Sequence, residues 1–444
     1  MARFDVVIIG AGVSGLFAAM KLATTSKRIL VIDSAKPLNE RLSSLGQDIA
    51  SNQTNDRYLG FGGLGISEGK YNFTNDFGGD LASKIGNQES LLYQQKVDQL
   101  LCEYGADKKA LYNTFDSELA KRADQVGFKI LSTKTRHLGT RLSTAIFQEF
   151  ANYLSSKVEF AFNTTVSDID FSAQQLLLTL ANQEKITTKK VIIAVGRSGL
   201  NWLEPIAKKL AFNYENTRLD LGFRIEMHNK QLASLLQKVD ETKLYFKSEN
   251  YSATTYCMNP NGRVIAKYQD SMVMPDGQNC NEVGHSANLN FTLFIPTWFK
   301  LRSDADNYLK HTIAKINQQQ GIIAAQRLAD IDARFHHRKH HIEPTLSTAI
   351  FTNLSTIAPA NYLHDTCDFL SGLEKLLGEP IDGNTILYAM DSKSYAPVIK
   401  TDQFFLTQVP NLYVIGDCSG ITSSLSQAAA SGLLVADHIV KSSS

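Results

Sequence analysis

The 444-residue chain is 43% hydrophobic and sets 45 Lys plus Arg against 44 Asp plus Glu, with no block of like charge. That length supports two domains with full cores, and a near-zero net charge argues against nucleic acid or an anionic membrane surface as the main partner. Five scattered cysteines (Cys102, Cys257, Cys280, Cys367, Cys418) form no CxxC pair, which fits a reducing, cytoplasmic setting and gives no zinc or dithiol signature, so no metal is expected.

The chain opens MARFDVVIIG, passing directly into an apolar strand, and reads as unprocessed. The longest apolar run, VVIIGAGVSGLFAAM, contains a glycine turn and belongs to a βαβ unit rather than a membrane span. Around it the order is strand, Gly10-Ala11-Gly12-Val13-Ser14-Gly15, helix, then RILVIDS ending at Asp33 and Ser34. This is the dinucleotide-binding fingerprint. Gly10 serves the sharp turn, Gly12 leaves room for a pyrophosphate, and Gly15 lets helix and strand pack closely. The helix N-terminus offers N–H groups to phosphate, and Asp33 can accept from a ribose. NAD and FAD both use such a unit.

A polar connection through Arg41 leads to a glycine-rich stretch containing Gly62, Gly63, Ser67, Gly69 and Lys70. Such a loop lets backbone approach a ligand, with Ser67 and Lys70 as polar contacts; a surface loop with a solvated Lys70 is the alternative. Residues 89–127 predict two amphipathic helices. A strand, a turn at Gly139 and a helix follow, with Arg136, His137 and Arg141 at the turn either contacting ligand or facing water. Next comes a small β-meander around Val166, closed by the buried strand leading to Ala194-Val195-Gly196. Residues 220–380 mix strands and helices and read as a substrate domain with a largely antiparallel sheet. Finally NLYVIGD ends in Gly416-Asp417, before a loop holding Gly420, Ile421 and Thr422 and a helix of small residues. Asp417 can accept from a ribityl hydroxyl, and the N–H groups of the loop can face a flavin ring.

GGLGISEGK, RHLGTRL, AVGRSGLNWL, LGFRIE, TYCMNPNGRVI and GDCSGITSSLSQAAASG together resemble a family of bacterial FAD-dependent dehydrogenases of undetermined substrate, within the two-dinucleotide-binding-domain (glutathione-reductase-like) flavoproteins. The resemblance implies FAD held at its adenosine end by Gly10, Gly12, Gly15 and Asp33, where members more often carry glutamate, with the Val166 backbone at the adenine. It places Ser67 and Lys70 near the flavin, and Gly416, Asp417 and residues 420–422 at the ribityl chain and ring. The expected architecture is α/β: a discontinuous Rossmann-type FAD domain over 1–80, 130–212 and 385–444, a helical insertion over 81–129, and an α+β substrate domain over 213–384.

The expected activity is hydride transfer between a small-molecule substrate and flavin N5, with NAD(P)H or a separate carrier as electron partner. A flavin monooxygenase or oxidase is the enzymatic alternative, and a non-catalytic nucleotide-binding or tRNA-associated flavoprotein the other. Lys70 is the candidate for tuning the flavin. Cys257 is either a nucleophile facing substrate or a buried inert thiol. Arg197 and Arg224 are either anchors for an acidic substrate or interdomain salt-bridge formers. His336, His337, His340 and His341 have helical ligand spacing but no carboxylate between them, which favours a solvated basic face.

Overall fold

The computed structural model describes residues 2–45, 59–67, 69–172, 175–236, 242–269, 271–280, 285–318, 321–336 and 341–442. The fold is mixed α/β and divides into two compact units: residues 1–113, 133–215 and 396–444, and residues 114–132 and 216–395.

In the first unit the opening strand Ala2–Ile9 lies at the centre of a sheet, parallel to Ile29–Ile32 on one side and to Lys185–Ile193 on the other. The sheet continues through Glu159–Ala161 at one edge, and Leu412–Val414 pairs in parallel with Lys185–Ile193. Gln175–Leu180 and Val166–Ser172 add the antiparallel meander. The second half of the opening strand, Val6–Ile9, is an unbroken apolar run because both of its faces are covered. Val6 and Ile8 enter one core with the opening helix Val13–Leu22, while Val7 and Ile9 enter another with Val191 and Ile193. That two-faced burial is what a doubly wound Rossmann-type sheet requires.

The second unit holds an eight-stranded, largely antiparallel sheet. Its central strand Thr217–His228 pairs with Asn288–Phe299 and Ile386–Ser394. Leu219, Leu221, Phe223, Ile225 and Met227 point to one face, sharing a core with helices Arg302–Asn317 and Ala360–Leu377.

Three boundaries differ from the sequence expectation. The insertion expected over 81–129 is divided, because helix Asn87–Glu103 hydrogen-bonds the closing helix Leu425–Lys441 through Tyr93 and Lys96 to Asp437. Phe128–Leu131, by contrast, is an edge strand of the second unit, paired with Lys243–Lys247. Residues 385–395 also move to the second unit, since Ile386–Ser394 flanks its central strand. Between the two expected helices of 89–127 the chain adds a short strand, Leu111–Asn113. No helix among the described residues is long and apolar enough to cross a membrane.

Candidate functional site: a dinucleotide cradle in the first unit

The opening turn is built by steric necessity. Gly10 has φ +107°, and a Cβ there would sit 2.4 Å from the Ala194 carbonyl oxygen; one on Gly15 would sit 2.0 Å from that of Gly10. Gly12 is the opposite case: a Cβ on it would meet nothing within 4 Å. The open space therefore lies where the first-turn N–H groups of the opening helix have no intrahelical acceptor, a setting suited to a diphosphate.

Asp33 is fixed by the backbone it faces. Its Oδ2 accepts from Ala11 N at 2.7 Å and its Oδ1 from Ala35 N at 2.8 Å. Each oxygen keeps a further lone pair for a ribose hydroxyl. Ser34 is exposed beside it.

Arg41 is buried, and its guanidinium donates to Phe61 O at 2.6 Å and to Gly63 O at 2.8 Å. Burial pushes its pKa down to about 10 against the opposing pull of Asp33. Arg41 thus holds the glycine loop in place. The same loop is tied to the turn by Gly62 N donating to Ala11 O at 2.8 Å. Gly65 is wedged so tightly that a Cβ would lie 2.6 Å from Phe147 and 2.7 Å from Val13. The Ser67 hydroxyl donates to Leu64 O, closing the short turn Gly63–Ile66. Gly69, at φ +62°, passes against Ser143 and leads into strand Lys70–Phe73, where half-buried Lys70 pairs in register with His137.

At the adenine end the Val166 carbonyl accepts from the Trp202 indole, so a purine would share that oxygen. Ala194 N donates to Ile9 O at 2.7 Å, and Gly196, at φ +61°, borders open space.

The closing loop returns to the opening helix. Gly416, at φ +68°, comes so close to Ser14 that a Cβ would lie 2.5 Å from its Oγ, and its N–H donates to Ser431 Oγ at 3.1 Å. Asp417 accepts from Thr422 Oγ1 at 2.8 Å and lies 3.5 Å from Arg197 Nε. Arg197, exposed over most of its side chain, thus partners an acid of the cofactor loop within the first unit. Gly420, at φ +78°, packs on the Pro397 carbonyl, and buried Cys418, its thiol pushed up to about 12 by burial, lies under the loop.

One part of the site had not been anticipated. Asp80 N donates to Ile421 O at 2.7 Å, Ser423 N to Gly78 O at 2.9 Å, and Gln427 bonds Leu81 N, Thr74 O and Phe77 O. The glycine loop and the closing loop are thereby stitched together. The sequence signal was the pair Gly78-Gly79, whose φ values of +91° and +129° permit this approach.

Other candidates fall elsewhere. Arg136 is neither solvated nor ligand-facing: it forms a two-pronged pair with Asp98 at 2.6 and 2.8 Å. In the second unit Arg224 is fully buried, donating to Asn290 Oδ1 at 3.0 Å, Thr292 Oγ1 at 3.1 Å and Cys257 O at 2.9 Å. That corrects both readings of Arg224, since its donors are spent on neutral acceptors inside one sheet. Cys257 is exposed rather than buried, at φ +50°, on a bulge where the register slips between Tyr256 and Asn259. His336 is exposed and outside any helix, His341 pairs with Glu343, and His337 and His340 lie outside the described residues. Among the described residues no group of three or more His, Cys, Asp or Glu could hold a metal.

The cradle has company among known proteins. Residues 4–218 match the family model described as pyridine nucleotide-disulphide oxidoreductase. The matched stretch takes in the opening turn, Asp33, the glycine loop and the strand leading to Gly196, just under half of the chain, and the cofactor is FAD. Among solved structures the chain is similar to glycine oxidase from Geobacillus kaustophilus, at 12% identity over 99% of this chain and 95% of that one, with a TM-score of 0.40. It is also similar to L-alpha-glycerophosphate oxidase from Mycoplasma pneumoniae (12%, 99% and 95%, 0.38) and to p-nitrophenol 4-monooxygenase from Pseudomonas putida (12%, 99% and 79%, 0.36). No curated protein matches.

Proposed function

We propose that the protein is an FAD-dependent dehydrogenase or reductase that exchanges a hydride between a small-molecule substrate and the flavin, with NAD(P)H or a separate carrier as electron partner, acting in the cytoplasm. The observation that carries this reading is the pairing of two glycine turns. The opening turn leaves space at Gly12, and the closing turn brings Asp417 and its loop back to Ser14, as an elongated dinucleotide with a distal ring requires. FAD, when bound, supplies the hydride acceptor.

The chain's own residues bind and orient it. The opening helix N-terminus takes the diphosphate and Asp33 the ribose. Asp417, steadied by Thr422 and Arg197, takes a ribityl hydroxyl. Lys70 is the cation presented by the glycine loop and favours negative charge on a neighbouring ring. The sequence offers no CxxC pair to serve as a protein dithiol.

The test is anaerobic reduction of purified holoprotein by NADH, NADPH and a metabolite panel, followed in the flavin absorption band. Bleaching by a donor, with slow reoxidation by air, is expected. Turnover of oxygen as fast as that of any other acceptor would transfer the protein to the oxidases or monooxygenases. Replacing Lys70 with methionine should lower the flavin potential and slow reduction; an unchanged potential removes Lys70 from the assignment.

A further inference from the structure

The central strand of the second unit has two unlike faces. Opposite its apolar face it presents Arg218, Asp220, Gly222, Arg224 and Glu226. Most cations on that polar face have acceptors. Arg218 grips Asp220 at 2.6 and 2.9 Å, Arg224 is held by Asn290, Thr292 and Cys257 O, and Lys267 reaches Asp391 at 2.7 Å.

Lys393 is different. It stands in register with Asp220 on the neighbouring strand, yet Asp220 already accepts from Arg218 and, at 2.7 Å, from the Tyr395 hydroxyl. Among the described residues no hydrogen bond or ion pair engages the Lys393 ammonium. It lies instead 4.5 Å from the Tyr256 ring centroid and 4.8 Å from that of Tyr395. Ring faces stabilise a cation but leave its three N–H donors unanswered.

We propose that Lys393, set between the rings of Tyr256 and Tyr395, anchors the carboxylate of a small-molecule substrate whose apolar body lies along the aromatic side chains of this sheet face. The proposal rests on the oxidoreductase reading for the word substrate, and on the second unit alone for the site. Three things favour a carboxylate. The ammonium has unused donors, and the adjoining carboxylate of Asp220 already accepts from a guanidinium and a phenol. Tyr256 packs on Phe294 at 5.5 Å, and Trp298, half exposed on the same face, extends the apolar surface.

Burial pushes the Lys393 amine down to about 8 against the opposing pull of Asp220, and a carboxylate bound against it raises it again. The ionisable groups facing it are Asp220 and Arg218 on the central strand, Lys243, Tyr256 and Cys257 on the strands beyond, and Tyr395 after its own strand. An anion is held while the amine is charged, so affinity is greatest below the amine's pKa and falls by about tenfold per pH unit above it.

The test uses holoprotein whose lysines have been reductively methylated with 13C-formaldehyde, the Lys393 resonance being assigned by its loss in Lys393→Arg. The probes are benzoate and hexanoate, one flat and one aliphatic. The expected result is a resonance that titrates near pH 8, moves upward by about one unit or more with either probe, and is unmoved by methylammonium chloride. In unmethylated protein, calorimetry should show affinity for the better probe falling by about tenfold or more in Lys393→Met, while Lys393→Arg stays within a few fold. Equal binding by Lys393→Met, or a resonance that neither probe moves, overturns the assignment. Because binding is read without turnover, a failed hydride-transfer reading leaves this result standing, and a failed anchor leaves donor-driven flavin reduction unchanged.

Discussion

Arg41 keeps a charge where water hardly reaches it, at 3% exposure, and spends it on two main-chain carbonyls. Replacing it with methionine fills the volume but leaves Phe61 O and Gly63 O without donors, a loss of about 3 kcal/mol. The expected outcome is a lower melting temperature together with FAD lost on gel filtration; lysine should not restore either, because it lacks the planar fork. Retention of FAD at wild-type affinity by the methionine variant would show the clamp to be dispensable. Asp437 gives the pH-dependent case. Burial alone would raise its carboxyl, but Lys21 at 3.0 Å, Lys96 at 3.2 Å and the Tyr93 hydroxyl outweigh burial and hold it below the ordinary carboxylate range. A carboxyl depressed in the folded state adds stability above its unfolded pKa and loses it as pH falls through the folded value. Wild type should therefore lose more melting temperature than Asp437→Asn between pH 5 and pH 3, by the equivalent of about 1 kcal/mol, since both lysines are over a third exposed. Parallel melting curves for the two proteins would refute it.

At the scale of elements, the contact that matters most is the crossing of the opening and closing helices. Gly432 lies against the opening helix so closely that a Cβ would be 2.2 Å from Ser14 O and 3.0 Å from Ala18 N. Gly432→Ala should cost about 1–3 kcal/mol by overpacking and should weaken FAD binding, because the same helix carries the Ser431 hydroxyl that fixes Gly416. Thermal unfolding and FAD titration check both, and an alanine variant as stable as wild type would mean that the helices can part at no cost. What was legible beforehand follows from range. The fingerprint from Gly10 to Asp33 is local, so pattern and spacing sufficed. The helix crossing and the stitching of Asp80 to Ile421 join residues over three hundred positions apart, and no periodicity encodes such a pairing. Arg136 misled for a related reason: a surface arginine and a clamped one are spelled alike, and only the carboxylate of Asp98 tells them apart. Cys257 was misplaced because a bulge turned its strand, exposing a position that plain alternation would have assigned differently.

Across the whole molecule, each unit has its own core and its own sheet. FAD present at about a hundredfold over its dissociation constant should stabilise the fold by about 2.7 kcal/mol. Hydrogen exchange should show the added protection concentrated in residues 10–15, 60–70 and 416–422, and uniform protection along the chain would argue against the cradle as drawn. The stitching of Gly78 and Asp80 to Ser423 and Ile421 also orders events during synthesis. The parallel sheet of the first unit gains Leu412–Val414, and the glycine loop its seam, only when the last tenth of the chain has emerged from the ribosome. By then the segments of the second unit, complete at residue 395, are all available to fold. A chain cut short before residue 412 would carry a nucleotide turn with nothing to close it.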